Sequence, residues 1–191
     1  ESGRYRGERD APIHPGSEAL ARIRETELRA AAQVLGVREL VLLDYPDGAL
    51  DQADPREVVS RIAAHVRAVR PDVVVTFGPD GAYGHPDHIA ISQYAGAAIV
   101  AAAAPRPGAP VGDGEPAPHT VSKLYYIAWP ADAWDAYQSA FKKLVSLVDG
   151  TERQALPWPD WAITAAIDTR AHWETVWKAI SCHESQITSY Q

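Results

Sequence analysis

Between residues 76 and 92 the chain reads TFGPDGAYGHPDHIAIS, with His85 and His88 three apart, Asp87 between them and Asp80 just upstream. Imidazole and carboxylate are the side chains that bind divalent metals and move protons near neutral pH. A His-x-x-His pair with an adjacent acid suits a metal ligand together with orienting or acid–base partners. On their own these residues supply too few donors to close a site, since a catalytic zinc takes about three protein ligands plus water. A structural alternative stands beside this one, in which His85 and Asp80 only cap the helix that follows.

The elements around the stretch decide what such a cluster could face. DVVVTF (72 to 77) is a continuous apolar run bounded by breakers, which predicts a strand covered on both faces. Gly78, Gly81 and Gly84 permit backbone angles that other residues resist, and Pro86 suits a first helical position. His85 is then the expected N-cap and His88 falls in the first turn of a helix over 86 to 104. Residues three apart share a helical face, so both imidazoles can look past the end of the strand, with Asp87 near the positive end of the helix dipole. In open α/β sheets that is where ligands bind.

Elsewhere the pattern predicts helices over 17–35, with Ser17 as N-cap and Gly36 as stop, over 54–70, behind an Asp54–Pro55 start, over about 132–148 and over about 170–187. Strands are expected at 39–45 (ELVLLDY), 122–128 (SKLYYIA) and 162–167. Strands alternating with helices imply an α/β fold, Rossmann-like and layered, with a mostly parallel sheet flanked by helices. Residues 105–119 contain five prolines and three glycines and read as an exposed, flexible loop inside a single domain.

Composition narrows the partners. A net charge of −7 argues against a nucleic-acid surface, which needs a basic stripe, and leaves a small-molecule ligand as the plainer reading. The longest apolar run, AGAAIVAAAA (95–104), falls short of the about 20 residues of a membrane span, so no membrane partner is expected. A single cysteine, Cys182, cannot form an internal disulfide; with no visible signal peptide, a cytoplasmic location is expected. Homo-oligomer formation is compatible with all of this. The chain opens at Glu1 and contains no methionine, which reads as a trimmed sequence.

GHPDH, preceded by Tyr83 and followed by an apolar helix, resembles the second motif of the LmbE-like, or PIG-L, family of zinc-dependent N-deacetylases. RETELRAAAQVLGV (24–37) is similar to that family's R-x-x-E-L helix, YPDGAL (45–50) to its following turn, and AISCHESQ (179–186) to its C-terminal H-x-S-Q helix. The family's first motif, His-Pro-Asp-Asp-Glu, is absent from these 191 residues. The resemblance therefore implies a single LmbE-like domain lacking its N-terminal strands. It implies one zinc per full-length chain, held by His88 and two upstream ligands. It further implies that His85 holds or protonates the amide, that Asp87 orients and charges His85, and that a mobile Tyr83 polarises the carbonyl or stabilises the oxyanion.

Arg24 can be weighed without the family. At about 100° per residue, Leu20, Leu28, Ala31 and Leu35 span an arc of roughly 80° with Arg24 near its middle. Either it pairs with Glu27 one turn on, or its planar fork clamps a substrate; the family helix favours the clamp. Asp47, in the YPDGAL turn, could accept hydrogen bonds from a sugar, although Asp-Gly is common in turns without function. His183 reads as a packing histidine, and Trp158 and Trp161 as either sugar platforms or core.

The resulting expectation is removal of an acyl group, an acetyl above all, from an N-acylated amino sugar or related amide. The alternatives are an amidase of glycoside-linked thiol conjugates and, from another class, a catalytically silent carbohydrate-binding protein.

Overall fold

The computed structural model describes residues 16–105, 116–140 and 145–187. They group into two compact units, one built from described residues within 45–139 and 145–163, the other from 16–44, 140 and 164–187.

The larger unit is a parallel strand pair with helices packed on it. Helix α2 (Pro55–Val69) starts as its sequence requires: Asp54 accepts a hydrogen bond from the Arg56 amide at 2.8 Å, and Pro55 occupies the first turn. It stops at Arg70, in the left-handed region at φ 53°, just before Pro71. Strand β1 (Val73–Phe77) leads through a short helical turn, α3 (Gly81–Gly84), into α4 (Pro86–Ala103). The chain then returns as β2 (Lys123–Ile127), parallel to β1 with Val73 opposite Lys123 and Phe77 opposite Ile127. Helix-linked parallel strands place the chain in the α/β class.

The core lies between α2 and α4. Ala63 and Val66 meet Ala98 and Ala102, and Val58 meets Ala90 and Tyr94. Alanine on facing surfaces lets the two helices approach closely, and full burial of Val58 contributes about 1.5–3 kcal/mol. Arg67, buried on α2, donates to the carbonyls of Ala101, Ala102 and Ala104, which are orphan acceptors at the end of α4.

After β2 comes α5 (Ala131–Ala140), then an antiparallel hairpin of β3 (Val145–Val148) and β4 (Thr151–Gln154). The helix expected over 132–148 thus ends early. Asp149 and Gly150, at φ 50° and 76°, form a two-residue turn of the kind a hairpin needs, and pairing across it claims 145–148 as strand.

In the smaller unit, α1 (Ser17–Val34) packs against α6 (Trp173–Ser181) and α7 (Glu184–Ile187). Ser17 is not the N-cap: Gly16 holds that position without a side-chain cap. Gly36, at φ 70°, ends α1 as expected, with the Val37 amide closing back on the Ala32 carbonyl. The expected helix over 170–187 is a 3-10 turn (Arg170–His172), α6, a break at Cys182–His183, and α7. Glu27 explains the break: its buried carboxylate accepts the amide and hydroxyl of Ser185 at 2.6 and 2.8 Å, capping a new start.

Residues 39–45 and 162–167 are not strands, because no described strand shares a ladder with them; 160–162 form a 3-10 turn instead. The expectation that β1 is covered on both faces also fails among the described residues, where Val73 and Val75 are exposed and only the alternate face is partly covered. Within the 105–119 loop, 106–115 lie outside the described residues. No helix among the described residues is long and apolar enough to cross a membrane.

Candidate functional site

The site is built on the turn that joins β1 to α4. Its amides close tightly, from Gly81 to the Gly78 carbonyl at 2.9 Å and from Gly84 to the Asp80 carbonyl at 3.0 Å. Gly81 and Gly84 sit at φ 62° and 74°. Neither could carry a side chain: a Cβ on Gly81 would stand 2.7 Å from Ile89 Cγ1, and one on Gly84 would stand 2.8 Å from Arg153 Cβ on β4. Between them Ala82 is held at φ 65°, ψ −52°, close to a γ-turn geometry that costs an L-residue on the order of 1–3 kcal/mol. That conformation delivers Tyr83 beside both histidines, its ring edge-on to His85 at 5.9 Å and to His88 at 5.2 Å between centroids.

His85 is the N-cap of α4, as its place before Pro86 requires, and it is buried. Its Nδ1 accepts the Asp87 amide at 3.2 Å, so the neutral ring carries its proton on Nε2. His88 has the opposite tautomer. Its Nδ1 lies 3.2 Å from the Gly81 carbonyl, which can only accept, so the proton is on Nδ1 and the Nε2 lone pair is left for another partner. The ring is stacked on Phe77 at 3.9 Å and 6°, and it lies 4.7 Å from the His85 ring. Burial, and next the neighbouring His85, hold the His88 pKa below the usual 6.5; the Gly81 carbonyl, Asp87 and Asp47 oppose this.

Asp87 takes a place its sequence position did not reveal. Its carboxylate accepts the Gly48 amide at 2.7 Å and the Leu50 amide at 3.0 Å, tying the 45–50 turn to the start of α4. The contact between Asp87 and His85 runs through the Asp87 backbone instead. Asp47 rides on the tethered turn, exposed and close enough to act on His88.

Tyr83, His85, Asp87, His88 and Asp47 therefore converge in the larger unit. Arg24 belongs to the smaller one, where its Nε is buried with no hydrogen-bond partner among the described residues. Its expected alternative partner, Glu27, is occupied by Ser185. In the same unit His183 is half-buried, its Nδ1 without a hydrogen-bond partner among the described residues, and Trp173 and Trp177 are exposed. Sequence reasoning missed Phe77 under His88, the Arg153 side chain against Gly84, and the bond from the Trp158 indole to Asp80 Oδ2 at 3.3 Å. For Arg153 a signal existed, since Asp149-Gly150 between alternating residues announces the hairpin.

An α/β fold with a glycine-framed His-x-x-His at the carboxyl end of a parallel strand defines the class, and comparison with known proteins narrows it. Residues 2–99 match the family described as PIG-L: GlcNAc-PI de-N-acetylase, and the chain belongs to this family. Among its relatives are proteins named 1D-myo-inositol 2-acetamido-2-deoxy-alpha-D-glucopyranoside deacetylase. That of Rhodococcus opacus (strain B4) is 40% identical over 71% of this chain and 45% of the relative. For that of Kineococcus radiotolerans the identity is 32%, over 92% and 55%. For that of Rhodococcus jostii (strain RHA1) it is 35%, over 98% and 69%. The chain thus spans about half the length of the first two. A crystal structure of the conserved protein TT1542 from Thermus thermophilus superposes with a TM-score of 0.59 at 25% identity, over 91% of this chain and 62% of that one.

Proposed function

We propose that the protein hydrolyses the N-acyl group, acetyl above all, of an amino sugar carried on a glycoside, with zinc as its metal. The observation that carries this reading is the paired tautomers of the two histidines: His88 offers a bare Nε2 lone pair and His85 an Nε2–H, side by side on one turn. Family membership and the names of the relatives support the same chemistry.

His88 fits a zinc ligand. A metal-binding imidazole typically donates its other ring N–H to a carbonyl or carboxylate, as His88 does to Gly81, and lowered basicity keeps the ring deprotonated. Among the described residues no group of three or more His, Cys, Asp or Glu side chains could hold a metal, and on this reading His88 would be one ligand of a larger set. When bound, zinc would supply a Lewis acid and lower the pKa of water. His85 is placed to donate from Nε2 to charge developing on the acyl oxygen or to the departing amine. Tyr83, brought beside the histidines by the Ala82 turn, would add a second donor. Asp87 holds the Asp47 turn in position, and Asp47 offers an acceptor for sugar hydroxyls. Arg24, on the smaller unit, keeps the role of substrate clamp that the family resemblance implies, its Nε being buried without a hydrogen-bond partner among the described residues. The cytoplasm is the compartment this reading expects.

The test separates the histidines at the protein's full encoded length. His88→Ala should lose most of its zinc by elemental analysis. His85→Ala should keep zinc yet lose on the order of 100-fold or more in kcat. If His85→Ala empties the metal and His88→Ala does not, the two roles are exchanged.

A further inference from the structure

Asp80 and Trp158 make a contact on the same turn that the mechanism leaves unused. While Asp80 Oδ2 accepts the Trp158 indole N–H, Oδ1 is buried and has no hydrogen-bond partner among the described residues. A buried acceptor without a donor is destabilising, so stability does not explain a carboxylate here. Its visible effect is to fix the indole. Trp158 lies at the carboxyl ends of both parallel strands. Its amide donates to the Trp129 carbonyl at 2.8 Å, just past β2, and it bridges to Pro130. Its ring edge covers Gly78, just past β1, where a Cβ would lie 3.6 Å from Trp158 Cζ2 and only 2.6 Å from Asp80 Oδ1. One carboxylate thus joins the turn bearing His85 and His88 to an aromatic ring at the end of the sheet where α/β proteins hold ligands. Trp158 is half-buried, leaving part of the indole accessible.

We infer that Asp80 is a positioning residue that holds Trp158 as a platform for the pyranose ring of the substrate. An indole presents an apolar surface matching the C–H face of a sugar, and a bonded N–H fixes its rotation. This rests on the amino-sugar reading above but concerns affinity rather than bond cleavage.

The experiment measures the Kd of methyl 2-acetamido-2-deoxy-α-D-glucopyranoside by calorimetry, with Tm, on the protein at its full encoded length. Asp80→Ala and Trp158→Leu should each weaken binding by about 3- to 10-fold, and the double variant should be no worse than either single one. Asp80→Asn, which keeps an acceptor for the indole, should recover most of the affinity. Gly78→Ala pushes the carboxylate aside while keeping both partners, and should reproduce the loss. Tm should change little in Asp80→Ala, because removal of the orphaned Oδ1 offsets loss of the bond from the Trp158 indole to Oδ2. Unchanged affinity in Asp80→Ala and Gly78→Ala, affinity loss matched by lower Tm, or a wild-type protein that does not bind the glycoside would overturn the inference. A wild type that binds, weakens as described on Asp80→Ala, but releases no acetate would support the platform and contradict the deacetylase reading.

Discussion

Removing the Asp87 carboxylate should loosen the 45–50 turn while leaving the cap on His85 intact. The Leu50 amide is part-buried and bonds a charged oxygen, which contributes about 1.5–3 kcal/mol. The Gly48 bond is exposed and contributes about 0.5–1 kcal/mol. A negative charge in the first turn of α4 adds about 0.3–1 kcal/mol. Asp87→Ala should therefore lose about 2–5 kcal/mol. Asp87→Asn is no rescue: it keeps one acceptor but turns an amide N–H2 toward the other backbone N–H, and it forfeits the charge, for a loss of about 1.5–3 kcal/mol. The His85 bond survives both changes because it comes from the residue 87 backbone. Urea denaturation gives the stability, and amide exchange at Gly48 and Leu50 locates the effect. An Asn variant within about 0.5 kcal/mol of wild type, or unchanged exchange at both amides, would refute the tether.

Glu27→Gln should destabilise by about 1.5–3 kcal/mol through loss of the Ser185 cap, whereas Arg24→Lys should leave Tm nearly unchanged and raise KM more than it lowers kcat. Parallel destabilisation with intact KM would remove Arg24 from substrate recognition. In metal-free protein the NMR titration of His88 should have its midpoint below 6.5, and His85→Ala should raise it only partway, since burial is the larger cause. The sign of the stability effect follows: the unfolded chain takes up this proton first, so the contribution is complete above pH 6.5 and is lost as pH falls through the two pKa values. A midpoint at or above 6.5 would contradict the burial argument.

Local signals were the legible ones. Asp54–Pro55, His85–Pro86 and Gly36 each mark a helix boundary by a steric or hydrogen-bonding rule internal to a few residues, and each stands where expected. The α/β class followed from the same logic, because an apolar strand before a capped helix has few places to go. The misses lie where a distant partner decides. Residues 39–45 have strand composition, but composition does not provide a ladder neighbour. The resemblance ties Asp87 to His85, and nothing local announces its amide partners 37 and 39 residues away. The break before α7 depends on Glu27, 158 residues upstream of Ser185. By contrast, the hairpin at 145–154 is legible from Asp149-Gly150, a two-residue turn that ends any helical period before it.

On the proposed function, the turn bearing His85 and His88 serves amide hydrolysis on an amino sugar. Acetate release from methyl 2-acetamido-2-deoxy-α-D-glucopyranoside or an inositol-linked counterpart, by zinc-loaded protein at its full encoded length, tests it most directly. Equimolar acetate and free amine are expected, with release reduced on the order of 100-fold or more in His85→Ala that retains its zinc. Zinc-loaded wild-type protein that binds such a glycoside and releases no acetate, or a His85→Ala variant that releases it at the wild-type rate, would contradict it.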